Sequence, residues 1–137
     1  MNTIEKRDPG APAWPTIFVD GEPIATVVGR LAADEDIATL VVTLQPVVET
    51  CLTDDDAAHI RATLLPPVGV TSIAPLLMCP DDLDLFCTVV DVEVVVDDTS
   101  VIWRRFGVRA GEGHTWWAST PLVFERDAYR RCLAAFA

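Results

Sequence analysis

The stretch from Cys87 to Arg109, CTVVDVEVVVDDTSVIWRRFGVR, constrains the fold more than any other part of the chain. Val, Ile, Trp and Phe dominate two arms, and Asp97-Asp98-Thr99-Ser100 lies between them where a turn is needed. β-Branched and aromatic residues suit a pleated, half-buried surface, so the segment reads as one long β-hairpin over about 86–109. A ribbon this apolar must be covered, which places it at the centre of the fold.

Two registers fit the hairpin, and they treat Trp103 differently. A two-residue loop pairs Asp97 with Ser100, setting Val94 opposite Trp103 and Glu93 opposite Arg104. A three-residue loop pairs Asp97 with Val101, setting Val96, Val94, Val92 and Val90 opposite Ile102, Arg104, Phe106 and Val108. Asp91, Glu93, Val95, Trp103, Arg105 and Arg109 then share the other face. A slip of one residue turns side chains to the opposite side of the sheet. The second register keeps the apolar alternation better and pairs Glu93 with Arg105, worth about 0.2–1 kcal/mol, but it turns Arg104 inward. On an open face, Trp103 among charges is a typical binding hot spot. Under a covering helix it is core.

The remaining elements follow from local chemistry. Pro9, Gly10, Pro12 and Pro15 mark residues 1–15 as a flexible tail, and 16–137 as a single α+β domain. Asp20-Gly21 tolerates positive φ and predicts a tight turn between strands at about 16–19 and 23–28. Residues 37–48 are ambiguous: Ile37, Leu40, Val41, Leu44 and Val48 make a helical stripe, yet LVVTL has strand composition and Pro46 interrupts any helix. A strand ending near Gln45 is the preferred reading. Thr53 caps a helix over about 54–65, whose first turn holds Asp54, Asp55 and Asp56 where the dipole favours negative charge. Ala57, Ile60, Leu64 and Leu65 form its buried stripe. A short strand at 73–79 precedes the hairpin. A loop around Gly111 and Gly113 and a short strand follow it, and a helix over about 126–136 buries Tyr129, Cys132, Leu133 and Phe136. The fold class is α+β, with a mainly antiparallel sheet of about five to seven strands and two packing helices.

At 137 residues, half of them hydrophobic, the chain can bury a real core. Its formal charge of −11 disfavours nucleic acid and anionic membranes and favours a basic protein partner. Solubility alone also accounts for such a charge. No apolar run has the length of a membrane span or the pattern of a secretory signal, so the expected location is cytoplasmic. In that compartment Cys51, Cys79, Cys87 and Cys132 are expected as buried free thiols.

Candidate chemistry is sparse. Asp81, Asp82 and Asp84 crowd one loop but lack the spacing of a calcium loop, and self-capping of the turn explains them more simply. Cys79 and Cys87 flank that loop and could form a redox pair; a zinc site needs two further ligands that no known spacing supplies. His59 lies on the polar side of its helix. His114 beside Trp116-Trp117 could form a small ligand site, although an aromatic lid over the core is commoner. Neither a nucleophile elbow nor a phosphate-cradling glycine loop is present.

Leu76-Leu77-Met78-Cys79, the Pro80–Phe86 loop, Cys87, Val101-Ile102-Trp103, Trp116-Trp117, and Phe124 with Tyr129 together resemble a widespread group of small bacterial proteins that have no established activity. The Val19-Asp20-Gly21 hairpin also fits. Many such proteins carry a Cys- and Gly-rich loop where this chain has Pro-Asp-Asp-Leu-Asp, a departure that argues against a thiol or metal role here. Small, acidic, motif-poor proteins of this kind are similar to immunity proteins of bacterial toxin systems. The expected function is therefore non-enzymatic: an acidic protein-binding domain that occludes a basic toxin partner through Asp81, Asp82, Asp84 and Trp103, with no cofactor and no metal. Two alternatives stay open, a small-ligand or thiol-redox module using Cys79/Cys87 or the His114–Trp117 segment, and a structural homodimer subunit.

Overall fold

The long hairpin forms the middle of a five-stranded antiparallel sheet. The structure, a computed structural model, describes residues 1–8, 16–32, 34–41, 43–47, 54–79, 88–110 and 113–136. The small N-terminal sheet comprises β1 (Ile4–Arg7), β2 (Thr16–Val19) and β3 (Glu22–Pro23), and leads into helices α1 (Ile24–Arg30) and α2 (Glu35–Val41). The larger sheet has the order β4-β5-β6-β7-β8, from β4 (Gln45–Pro46), β5 (Thr71–Met78), β6 (Val89–Val96), β7 (Ser100–Ala110) and β8 (Gly113–Glu125). Helix α3 (Asp54–Leu64) precedes β5 and packs along it, and α4 (Arg126–Ala134) follows β8. The class is α+β with mainly antiparallel pairing, divided between two sheets.

Both hairpin registers occur, on opposite sides of a β-bulge. Nearest the turn, Val96 faces Val101, Val95 faces Ile102 and Val94 faces Trp103, as a two-residue loop requires. Beyond Arg104, Glu93 faces Arg105, Val92 faces Phe106 and Val90 faces Val108, the register of the longer loop. One extra residue in β7 accommodates the change, which is what a bulge does. Asp97 secures the turn, its carboxylate accepting the Thr99 and Ser100 N–H groups at 2.9 and 2.6 Å. Those bonds favour the ionised form and hold its carboxyl below the usual range.

The bulge decides where Trp103 goes. It joins Val92, Val94, Val96 and Phe106 on the buried face and is 1% exposed. Phe106, Phe124 and Tyr129 meet it edge-on, with ring centroids at 6.4, 4.9 and 6.2 Å. Its indole N–H donates to the Tyr129 hydroxyl at 3.2 Å, which in turn donates to the Leu64 carbonyl at 2.6 Å. One chain of bonds thus ties β7, α4 and α3 together. Complete burial raises the Tyr129 phenol far above its ordinary range. Burial, with a contribution from Glu5, also pushes the Cys132 thiol up to about 11.

Several expectations need correction. The first residues are not a loose tail: β1 pairs with β2, and Asp20 anchors it by accepting the Thr3 N–H and an Asn2 side-chain N–H, each at 2.7 Å. Asn2 goes on to bridge Phe124, its N–H reaching the Val123 carbonyl at 2.7 Å, so the small sheet docks on β8. Residues 9–15 lie outside the described residues. The strand expected at 23–28 is only two residues of β3 followed by α1, because Ile24, Val27 and Val28 bury one helical face. Burial there overrides β-branched composition. Likewise 35–41 is helical, with Asp34 capping it by accepting the Ile37 N–H at 2.9 Å, and the expected strand shrinks to Gln45–Pro46. Of the loop expected after Arg109, Ala110 ends β7 and Gly113 onward is β8, which pairs with β7 along nearly its whole length; residues 111–112 lie outside the described residues. The turn at Asp20 and Gly21 forms as expected, with φ of 52° and 82°.

Candidate functional site

Alternation along β6 sends Val90, Val92, Val94 and Val96 into the core and Asp91 and Glu93 to the opposite face of the sheet. Asp91 and Glu93 are nonetheless only 2% and 8% exposed. A carboxylate so enclosed is tolerated only when it is paired and hydrogen-bonded. Arg109 supplies Asp91 with two contacts, at 2.9 and 3.4 Å, and His114 Nε2 lies 3.1 Å from the same carboxylate. Arg105 donates to Glu93 Oε2 through Nε at 3.1 Å and Nη2 at 3.0 Å. Arg104 brings its Nε to 3.4 Å from Oε1.

Consecutive residues on a regular strand point to opposite faces. Arg104 and Arg105 share this one because the bulge intervenes between Trp103 and Arg105. Trp116, two residues beyond His114 on β8, lies beneath the Arg105 guanidinium at 4.4 Å and edge-on to His114 at 4.6 Å. Gly107 makes room for both rings. A Cβ there would stand 2.8 Å from each of them. A strand glycine that permits such close approach is a positional requirement.

Two open hollows result. The first, of about 460 Å³, has Asp91, Arg109, His114 and Trp116 on one side and His59 and Thr63 of α3 on the other. The second, of about 500 Å³, lies at the bulge between Glu93, Arg104, Arg105, Thr71 and Ser119. Ile73, 53% exposed, lies between the two on β5, and itself lines the first.

The residues expected to meet a partner fare differently. Trp103 is removed from that role by its burial and its bond to Tyr129. Asp81, Asp82 and Asp84 lie outside the described residues, as does Cys87, so no Cys79–Cys87 pairing is described; Cys79 is a free, half-buried thiol. His114 and Trp116 do share a face, but Trp117 turns inward and donates to the Leu31 carbonyl at 2.9 Å. His59 reaches the same hollow from α3. Of this face, the alternation revealed Asp91, Glu93, Arg105 and Arg109. Arg104 and His59 were missed: the bulge exposes the first, and helix docking brings in the second. The sequence signal for a bulge was the conflict between the two registers.

Among the described residues, no group of three His, Cys, Asp or Glu side chains is placed to hold a metal ion. Among the same residues, no helix is long and apolar enough to cross a membrane. No protein-family profile, no curated protein and no solved structure matches the chain.

Proposed function

We propose that the chain is a non-enzymatic binding protein that docks a protein partner on the charged face of its larger sheet. The observation that carries this reading is the clamping of Asp91 and Glu93 by arginines. A carboxylate whose lone pairs are engaged by guanidinium groups has little to offer a substrate proton, so the cluster suits recognition better than general acid–base work. Arg and Trp are also the residues that dominate binding energy in interfaces. Arg104, Arg105 and Arg109 around Ile73 and Trp116 make a footprint for an apolar patch bordered by acidic side chains.

A second reading is favoured by the charge of −11: neutralisation of a basic partner, such as a toxin domain, in the manner of an immunity protein. Long-range attraction would speed that encounter and make it salt-dependent. Asp81, Asp82 and Asp84 would carry the contacts. A second copy of this chain is the third candidate occupant.

Calorimetric titration against the products of the genes flanking this one tests these readings, with light scattering to detect a homodimer. The sheet-face reading expects Arg105→Glu to weaken a specific complex at least about tenfold, since close charge reversal costs more than 1.4 kcal/mol. Loss of binding on Asp81/Asp82/Asp84→Ala, with Arg105→Glu neutral, would move the assignment to the basic partner. Turnover of a substrate abolished by His114→Ala would overturn a non-enzymatic role.

A further inference from the structure

The hollow at the bulge holds a charge imbalance that protein docking does not require. Two guanidinium groups, Arg104 and Arg105, converge there on a single carboxylate, Glu93, leaving one surplus positive charge in a chain whose net charge is −11. Each guanidinium carries five N–H donors in a fixed fork. Glu93 takes only Nε and Nη2 of Arg105 and lies 3.4 Å from Nε of Arg104. Among the described residues, both terminal nitrogens of Arg104 and Nη1 of Arg105 find no hydrogen-bond acceptor. Ser119 lines the same hollow, and its hydroxyl, buried beneath that surface, has no hydrogen-bond partner among the described residues. Thr71 contributes a second hydroxyl side chain to the lining.

The donors are held ready. Glu93 fixes one edge of the Arg105 fork, and the Trp116 ring supports its plane from below. Trp116 owes that position to the missing Cβ of Gly107. Preorganised guanidinium pairs recognise tetrahedral oxyanions, because two forks can each present parallel N–H bonds to phosphoryl oxygens.

We propose that this hollow is a binding site for a small tetrahedral oxyanion, a phosphate or sulfate group, held by Arg104 and Arg105 with Glu93 as their positioning residue. The site needs no protein partner, so it stands or falls separately from the docking reading. Binding is weakened by Glu93 itself, whose charge opposes the anion while its hydrogen bonds orient Arg105.

The test is a titration of the full chain with sodium phosphate at constant ionic strength, read from the arginine Nε–H and backbone amide NMR signals. Saturable shifts centred on Arg104, Arg105 and Ser119 are expected, absent from a sodium chloride titration. Arg104→Gln, at a solvent-exposed position that leaves the core untouched, should weaken binding about tenfold or more. Arg109→Gln should leave it within about twofold, as a screened neighbour would. Glu93→Gln, which keeps the shape and removes the opposing charge, should tighten it. Shifts identical with chloride, or an unchanged affinity in Arg104→Gln, would overturn the site. Dispersed spectra certify that each variant is folded.

Discussion

The two faces of the larger sheet are built from alternate residues of the same strands, yet they are held together by different physics. The inward face is apolar: Val90, Val92, Val94, Trp103 and Phe106 are all at most 1% exposed, and the polar chain Trp103–Tyr129–Leu64 that crosses it is satisfied at every link. The outward face is a lattice of ion pairs, in which Asp91 and Glu93 sit deep and the arginines reach over them into solvent. Apolar burial stabilises a fold directly, whereas ion pairs at a surface return little net stability. The inward face therefore carries the fold, while the outward face presents its arginines to solvent.

The sharpest way to break this contrast is at its apolar pole. Trp103→Ala should destabilise by about 3–5 kcal/mol in urea unfolding, as large-to-small core substitutions do. Tyr129→Phe is the finer probe of the same layer. It strands the Trp103 N–H and the Leu64 carbonyl in a dry site, so the expected loss is about 1–3 kcal/mol. A loss below that range would show that the bond chain adds nothing to packing.

Gly107→Ala tests the seam between the faces. Its methyl would stand 2.8 Å from His114 and Trp116, so the rings must move, with an expected loss of about 1–3 kcal/mol and an altered tryptophan emission. An unchanged spectrum would mean that Trp116 is not seated on the strand.

The smallest effect belongs to the acid side of the pH scale. Hydrogen bonds from Thr3 and Asn2 depress the Asp20 carboxyl below its ordinary 3.8. A depressed acid contributes its stability above the unfolded value and loses it as pH falls through the folded value. Asp20→Asn tolerates the positive φ and removes the titration, so its stability should match wild type more closely at pH 3 than at pH 7. A constant difference across that range would dissociate Asp20 from the anchoring of β1.

How much of this contrast is legible in the sequence depends on whether neighbouring residues or distant ones decide a position. The hairpin is local, and so is the alternation that turns Glu93 to the outward face opposite Arg105. Helix α3 is also local, because Ile60 and Leu64 recur at helical spacing ahead of two prolines. The side taken by Trp103 is not local: each register satisfies half of the hairpin, and only packing against Phe124 and Tyr129 selects a bulge at Arg104. Helix α1 illustrates the same limit, since Ile24, Val27 and Val28 suit a strand by composition and become helical because one face is buried. Strand β1 has a single buried residue, Ile4, and is recruited by pairing with β2 and by Asp20. The glycines around residue 112 suggested a loop, whereas the period-two run His114, Trp116, Ala118 belongs to the longest strand described.

The contrast is tested most directly by removing the charges of the Glu93 cluster from the outward face and measuring what remains. In urea unfolding, Glu93→Gln/Arg104→Gln/Arg105→Gln should stay folded and lose less than about 2 kcal/mol, because the desolvation of Glu93 offsets most of its attraction to two half-exposed arginines and no lone buried charge is left behind. A loss equal to that of Trp103→Ala would contradict the account, since it would make the ion-pair lattice as much a structural support as the apolar face.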